Sequence, residues 1–397
     1  MNKKVAIIGG GASGLMCAIF CAKHSLDVTL FEQNSRLGKK ILVSGNGRCN
    51  ITNTQFSKEN YYSQNPDFVT HALKEFDFIS FEKFINSLGL LLDKKEDGRC
   101  YPMSQEAKSV AYLLEEYARA LGVKIFLEKK IQNPKEVFEE FSHVVIATGS
   151  QAAPHLGGNA DAQEFALAFG HSLQPCYPSL VQLEINSTTL HKMAGAKLDA
   201  EVTLLINNSE IKSVKGDLLF TKYGLSGLTI LDLSAEASKA LLNYERVTLS
   251  LNLLPNFSAQ ALSSHISLMA KNQPTLKIFD ILLGLLAQKI VLGVLESLDI
   301  SPSLPSNAIH TKMAKCIAHR LLQWRFDVDD THGFRHAEVS GGGVCTDEID
   351  AKTMESKRVK NLYFIGESLD VVGERGGYNF AWAWASGVSA AKSISKE

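Results

Sequence analysis

The sequence predicts an α/β protein in which a doubly wound, parallel-sheet domain is interrupted by an inserted α+β domain of antiparallel strands plus a helical part. Three observations predict this. The first thirty or so residues read as strand, glycine turn, helix and strand, the size of a βαβ unit. Near Val181 the texture changes to alternating apolar and polar residues, the pattern of antiparallel strands with one wet face. After Phe334 the glycine-rich style of the opening returns. The expected boundaries are 1–185 with 336–397 for the discontinuous first domain and 186–335 for the insert. Within the insert, antiparallel strands are expected over 186–255 and a mainly helical part over 256–323.

Residues 5–8 form a short apolar run, 15–23 suit a helix, and the β-branched run 28–31 ends at Glu32. The polar, glycine-dotted stretch 36–53 is too long for a simple connector, and loops of that length are usually functional. Val110, Leu113, Leu114, Tyr117 and Leu121 recur at helical spacing and stop at Gly122, after which 123–127 reads as a strand. Val144, Val145 and Ile146 run into Ala147, Thr148 and Gly149, a buried parallel strand entering a turn. From Val181 on, Val181, Leu183 and Ile185 alternate with polar residues, as do Val247, Leu249, Leu251 and Leu253; 259–322 is mostly helical in pattern, broken near Pro274 and by Pro302 and Pro305. The chain then returns through Gly341, Gly342 and Gly343 to a strand over 362–365, then Gly366 and Glu367, and finally Gly376 and Gly377 opening a last helix.

The 397 residues leave room for two or three domains, and 45% apolar with 21% charged residues fits an ordinary globular chain. Forty-one basic against forty-two acidic side chains leave a net charge of −1. A broadly basic nucleic-acid binder is thereby disfavoured, so no nucleic-acid partner is expected. Cys17, Cys21, Cys49, Cys100, Cys176, Cys316 and Cys345 form no CxxC pair and no zinc-type spacing. They read as reduced thiols of a cytoplasmic protein, with no metal site. Residues 5–22 follow two lysines as a signal peptide would, but Gly9, Gly10, Gly11 and Gly14 weaken any such helix. The oily stretch 276–298 is interrupted by Asp280, Gln288, Lys289 and Glu296 and reads as an amphipathic or buried helix, so no membrane partner is expected.

The central motif is Gly9-Gly10-Gly11-Ala12-Ser13-Gly14, a GxGxxG between strand and helix, with Glu32 at the end of the second strand. Gly9 permits the turn, Gly11 lets the backbone approach a pyrophosphate, and Gly14 lets the helix pack on the strand. The helix N-terminus offers unpaired N–H groups and positive potential to phosphates, while Glu32 suits the two ribose hydroxyls of an adenosine and repels a 2′-phosphate. A tight turn that merely packs helix on strand is the bland alternative. Against an NAD dehydrogenase, which needs only one such fingerprint, the chain has a second glycine–acid station at Gly366-Glu367, suited to the ribityl hydroxyls of a flavin. The helix opened by Gly376-Gly377-Tyr378-Asn379-Phe380 can stabilise negative charge at flavin N1 and O2. Two such stations favour FAD.

The block Arg36-Leu37-Gly38-Lys39-Lys40-Ile41-Leu42-Val43-Ser44-Gly45-Asn46-Gly47-Arg48-Cys49-Asn50-Ile51-Thr52-Asn53 resembles the signature of the bacterial BaiN/YhiN-like NAD(P)/FAD-dependent oxidoreductases. Similar blocks are Gly98-Arg99-Cys100-Tyr101-Pro102, the run from Leu218 to Gly227, Gly341-Gly342-Gly343-Val344, and Gly366-Glu367 through Gly376-Gly377-Tyr378-Asn379, in order along the whole chain. The resemblance implies a FAD-binding fold related to the fumarate reductase flavoproteins, with a family-specific insert. It also implies a redox role for which reduction of a carbon–carbon double bond conjugated to a ketone is one associated activity. Lys222 stands where the family is expected to carry His, which puts in doubt a proton-transfer role at that position. Cys345, just after the glycine triplet, is not a recognised family feature.

The expected FAD contacts are Gly9, Gly11, Ala12, Ser13, Gly14, Glu32 and Gln33; Lys40 and the loop Ser44, Gly45, Gly47, Arg48, Cys49 and Asn50, placed beside the isoalloxazine; Ala147, Thr148 and Gly149; and Gly366, Glu367, Gly377, Tyr378 and Asn379. The candidate catalytic residues are Arg48, as the cation nearest flavin or substrate, Arg375, to hold a carbonyl or stabilise an enolate, and Tyr378, as a proton donor. Their bland readings are a loop-fixing ion pair, a surface charge and a packed aromatic. Cys49 is either a redox thiol or, more simply, a small buried residue; Cys17 and Cys21, one turn apart, are core. His332 and His336 are candidate cleft residues whose bland reading is structural, and the segment around Lys222 is a hinge or lid. The reading is a FAD-dependent oxidoreductase that passes a hydride through flavin N5 to or from a small molecule. With no second GxGxxG, NAD(P)H is expected as a transient donor. The alternatives are a flavoprotein acting on RNA and a non-catalytic FAD-binding redox sensor reporting through Cys49 or Cys345.

Overall fold

A run of apolar residues without alternation suits a strand covered on both faces. In the computed structural model, which describes residues 3–396, that run is β1 (Lys4–Ile8), with Val5, Ala6 and Ile7 fully buried. It is followed by α1 (Ala12–Lys23), β2 (Asp27–Phe31), α2 (Ala107–Ala120), β3 (Lys124–Phe126), β4 (His143–Ile146), β5 (Leu362–Phe364) and α3 (Tyr378–Lys396). The five strands form one parallel sheet in the order β5-β4-β1-β2-β3, with Val5 opposite Val28 on one side and His143 on the other. The chain steps outward from β1 through β2 to β3, then resumes on the opposite side of β1. The switch point therefore lies between the carboxyl ends of β1 and β4, where open α/β sheets bind ligands.

Both α1 and α3 bury most of their surface, α1 through Leu15, Met16, Cys17, Ala18, Ile19 and Cys21. They approach closely because α3 is rich in Ala, Ser and Gly: a Cβ at Gly387 would stand 2.6 Å from the Ser13 carbonyl oxygen. Small sheets complete this unit: the antiparallel sets Thr52–Asn53 with Arg99–Pro102 and Leu92–Lys94, and Tyr61–Tyr62 with Val372–Gly373, and the two-stranded pair Leu173–Ser179 with Val339–Val344.

The chain divides into two compact units, one running to Tyr177 and resuming at Glu338, the other Pro178–Ala337. The expected boundaries at 185/186 and 335/336 are corrected accordingly. Leu183 and Ile185 belong to the core of the second unit, and Leu183–Glu184 pairs with Gly224–Ser226 and Asp330–Thr331. The second unit has a seven-stranded antiparallel sheet whose longest pair is Lys197–Ile206 with Ser209–Phe220. Two helices, Thr188–Lys192 and Leu228–Leu242, lie inside the stretch expected to hold strands alone. The signal for the longer one was present: Ile230, Leu233, Ala237 and Ala240 repeat at helical spacing and are all buried. Likewise 276–298 is two short helices, Ile278–Leu283 and Gln288–Glu296, rather than one. Among the described residues no helix is long and apolar enough to cross a membrane.

Candidate cofactor and active site

The turn from β1 to α1 is built by backbone crowding. Gly9 has φ 110°, and a Cβ there would lie 2.3 Å from the Ala147 carbonyl oxygen at the end of β4. A Cβ at Gly14 would lie 2.0 Å from the Gly9 carbonyl oxygen. Both glycines are thus demanded by packing. Gly11 differs: a Cβ there meets nothing within 4 Å, and as the N-cap of α1 it leaves the helix without any side-chain cap. The first turn of α1, which includes Ala12 and Ser13, therefore has no side-chain cap and begins beside open space at Gly11, with positive helix potential behind it, the arrangement an anion requires.

Glu32 is 7% exposed and already tied down. Its Oε2 accepts from the Gly10 N–H at 2.8 Å, and its Oε1 accepts from the Asn34 N–H at 2.8 Å and the Asn34 amide at 2.6 Å. The carboxylate is thereby fixed beside the turn. Gln33 donates to the Gly157 carbonyl at 2.9 Å, so its amide organises the loop after β4. At the second station, Glu367 Oε2 receives the Lys40 ammonium at 2.6 Å and Oε1 the Ser340 N–H at 2.8 Å. A Cβ at Gly149 would approach Glu367 to 3.9 Å, and one at Gly366 would lie 2.5 Å from Ser13 Oγ. Lys40, Gly149, Gly366 and Glu367, scattered over 327 positions, meet around the start of α1.

The 36–53 stretch holds a short helix, Lys39–Val43, and then a tight coil in which Gly45, Asn46, Gly47 and Cys49 all have positive φ. Ser44 donates to the Ile41 carbonyl, and the Cys49 N–H to the Ser44 carbonyl. Cys49 is fully buried, and burial pushes its thiol up to about 12, against a smaller pull from Ser44. A thiol so placed stays protonated and inert at neutral pH, which favours the packing reading. Arg48 is exposed; its guanidinium lies 5.2 Å from the Tyr101 ring centroid, and no carboxylate pairs with it among the described residues, so the loop-fixing ion pair is not found.

The coil docks on the far end of the unit. Asn53 donates to the Gly376 carbonyl at 3.0 Å, a Cβ at Gly377 would strike the Thr52 carbonyl at 2.4 Å, and Trp384 donates to the Ile51 carbonyl at 2.8 Å. Asn379 spends its amide on its own turn, accepting from the Gly373 N–H and donating to the Gly373 carbonyl, both at 2.8 Å. Burial, followed by the Glu374 and Asp97 carboxylates, pushes the Tyr378 phenol up. Arg375 acts electrostatically on Asp97 and on Glu338, whose carboxyl is pushed up by burial and drawn back by that arginine. His332 and His336 lie in the second unit. There His332 Nδ1 bonds Glu184 at 2.7 Å, and its ring is sandwiched between Tyr223 and His336 at 4.0 Å each.

Three buried side-chain oxygens in these segments have no partner: Asn50 Oδ1, Thr52 Oγ1 and Thr148 Oγ1. Buried polar atoms are rarely left unpaired, so these three oxygens are available to accept from a bound group. Together with the open space at Gly11 and the uncapped α1, they fit an extended dinucleotide running from the β1–α1 turn to the 44–53 coil.

The HI0933-like protein Rossmann domain profile matches residues 3–393. The chain belongs to the HI0933-like family. Among its relatives are a 3-dehydro-bile acid delta(4,6)-reductase of Clostridium scindens, 33% identical over 409 residues and covering 100% of both chains, and a ribosomal RNA dihydrouridine synthase of Haemophilus influenzae, 34% identical over 410 residues and covering 98% of each. A solved 3-ketosteroid Δ1-dehydrogenase from Sterolibacterium denitrificans superposes with a TM-score of 0.50 at 11% identity, covering 100% of both chains, which is a likeness of fold alone.

The HI0933-like signature blocks now have a spatial meaning: the 36–53 and 98–102 blocks share the Thr52–Asn53 and Arg99–Pro102 strand pair, and the 366–379 block closes over it through Asn53 and Thr52. Sequence reasoning passed over Asn53, Ser340 and Tyr101 as individual residues. Asn53 and Tyr101 stood inside the quoted blocks, which was their available signal. The Ser340 contact is made by a backbone N–H and left none.

Proposed function

We propose that this chain, an FAD-dependent oxidoreductase by family, reduces a carbon–carbon double bond conjugated to a carbonyl, with NAD(P)H as transient electron donor. The observation that carries the cofactor part is the cradle at Gly11: unfilled space in front of an uncapped helix, flanked by fixed Glu32 and by the Lys40–Glu367 pair. The substrate class is supported by chemistry common to two relatives. Saturating a ring double bond next to a 3-oxo group and converting uridine to dihydrouridine both add a hydride to an alkene polarised by a carbonyl.

When bound, the flavin supplies the hydride. The chain's own residues do the rest. The α1 amides and Lys40 would hold the diphosphate and sugar end, and Thr148, Asn50 and Thr52 would offer their unpaired oxygens to bound polar groups. Arg375 or Arg48 would hold the carbonyl oxygen and spread the negative charge that builds there as the β-carbon is reduced. Anaerobic mixing with NADH and then NADPH tests the donor. Bleaching by either, followed by recovery of the oxidised spectrum on adding 4-androstene-3,17-dione or uridine, is the expected result. A flavin left oxidised by both nicotinamides removes them as donors.

A second reading, a flavoprotein that reduces uridine within RNA, is favoured by the name of the Haemophilus relative. The net charge of −1 gives it no electrostatic help. Recovery of the oxidised spectrum with ribosomal RNA fragments but with neither small molecule would select it. A redox sensor reporting through Cys49 is disfavoured by the burial of that thiol, which holds it protonated.

A further inference from the structure

We propose that the second unit grips the phosphate backbone of RNA through the basic face of the helix Thr311–Leu322, an inference that rests on the RNA reading above. The buried residues of this helix, Ala314, Ile317, Ala318 and Leu321, fall at helical spacing on one face and belong to the core of the unit. Two positions out of phase, and so on the opposite face, stand Lys312, Lys315, Cys316 and His319, all exposed. Arg320 lies half-buried one turn beyond Cys316, its guanidinium 5.9 Å from the Trp324 ring centroid. The helix carries no Asp or Glu. Neither does the helix Ala259–Asn272 packed against it, which adds exposed His265 and Lys271. From Ile300 to Phe326 the chain has no acidic residue at all, although 42 of its 397 residues are acidic.

Helix stability does not ask for this pattern. A first turn favours carboxylates, yet this one holds Lys312 and no acid. Lys312 and Lys315 stand three apart, a spacing at which opposite charges attract and like charges repel. The ordinary surface solution appears on α2, where Arg119 meets Glu115 one turn away at 2.7 Å. Other exposed cations of the second unit are also paired: Lys192 with Glu296 at 2.5 Å, Lys197 with Asp217 at 2.8 Å and Arg246 with Asp327 at 2.9 Å. Among the described residues Lys312 and Lys315 have no carboxylate partner. The acids of the neighbouring short helices are spent elsewhere, Asp280 on the Lys277 N–H at 2.9 Å and Glu296 on Lys192. A row of unpaired cations about 5–6 Å apart complements a strand that carries one negative charge per nucleotide. The same face offers no large apolar side chain to insert between lipids, which a helix lying in a membrane surface needs. The net charge of −1 therefore conceals a local basic surface.

The test is a fluorescence-anisotropy titration of the FAD-loaded protein with a labelled single-stranded fragment of ribosomal RNA, repeated over a range of salt. The double variant Lys312→Gln/Lys315→Gln removes two phosphate contacts. It is expected to bind about tenfold more weakly at low salt, and its slope of log Kobs against log salt to be shallower by about 1.4, at about 0.7 per phosphate of a single strand. Lys192→Gln/Lys197→Gln changes the net charge equally at paired positions and is expected to bind as wild type does. A readout independent of affinity is lysine acetylation followed by peptide mass spectrometry: the RNA is expected to shield Lys312 and Lys315 and to leave Lys192 open. Both double variants are expected to melt and to bleach with NAD(P)H as wild type does. An RNA affinity and salt slope unchanged in Lys312→Gln/Lys315→Gln, or an equal loss in Lys192→Gln/Lys197→Gln, overturns the assignment while leaving the RNA reading standing. Binding to phosphatidylglycerol vesicles that needs Lys312 and Lys315, with RNA binding that does not, overturns it in favour of a membrane surface. A wild type that gives no anisotropy change at low salt and no reoxidation by the same RNA overturns the RNA reading, and the assignment with it.

Discussion

Gly11→Ala separates the binding role of the β1–α1 turn from its structural role. The backbone at Gly11, φ −76° and ψ −169°, is open to any residue, and the added methyl meets no atom within 4 Å. Folding should therefore change by no more than about 1 kcal/mol, the scale of an N-cap substitution. Gly14→Ala drives a methyl to 2.0 Å from the Gly9 carbonyl and 3.3 Å from the Ala147 Cβ, so backbone must move. Overpacking of that kind costs about 1–3 kcal/mol, or about 2–10 °C in Tm for a unit of this size. For FAD the order reverses in kind. At Gly11 the methyl occupies the space a phosphate needs, and loss of one charge-assisted hydrogen bond, about 1.5–3 kcal/mol, weakens binding by about 10- to 150-fold. Thermal melting of both apo variants and flavin fluorescence titration measure the two quantities separately. A Gly11→Ala protein that binds FAD as tightly as wild type, or melts lower than Gly14→Ala, refutes the reasoning.

Three further outcomes are expected. Lys40→Met leaves Glu367 with the Ser340 N–H as its remaining partner and should weaken FAD binding by roughly tenfold, about 1.4 kcal/mol, with Lys40→Arg restoring part of it in the same titration. Glu348 is held down to about 2 from its ordinary 4.5, first by Arg358 at 2.5 Å and also by the Ser172 N–H at 2.9 Å. Its folded-state value is depressed, so its stabilisation is complete above about 4.5 and is lost as pH falls through about 2; in acid melts Glu348→Gln should flatten that slope, and an unchanged slope contradicts the pair. Alkylation at pH 7, read by peptide mass spectrometry, should mark exposed Cys316 well before buried Cys49, and equal rates at the two contradict the inert-thiol reading.

What was legible in the sequence is what local chain geometry encodes. Gly9, Gly11 and Gly14, each with a different reason to be glycine, are visible because all three reasons operate within one turn, and the covered strands 5–8 and 144–146 announce themselves by composition. Contacts made over long separations were not legible. Lys40 meets Glu367 across 327 positions, Asn53 meets Gly376 across 323, and Trp384 reaches Ile51 across 333. Nothing local specifies such pairs, nor does it show that the Asn379 side-chain amide bonds the Gly373 backbone. The boundary near 178 was misplaced because Val181, Leu183 and Ile185 read equally well as the last strand of one unit or the first of the next.

The most direct measurement is the cofactor content of the purified chain. The account predicts a yellow protein carrying one FAD per chain after soaking, with Glu32→Ala and Gly11→Ala weaker in retaining it. A chain that stays colourless when soaked in FAD, while its melting curve shows it folded, contradicts the account at its root.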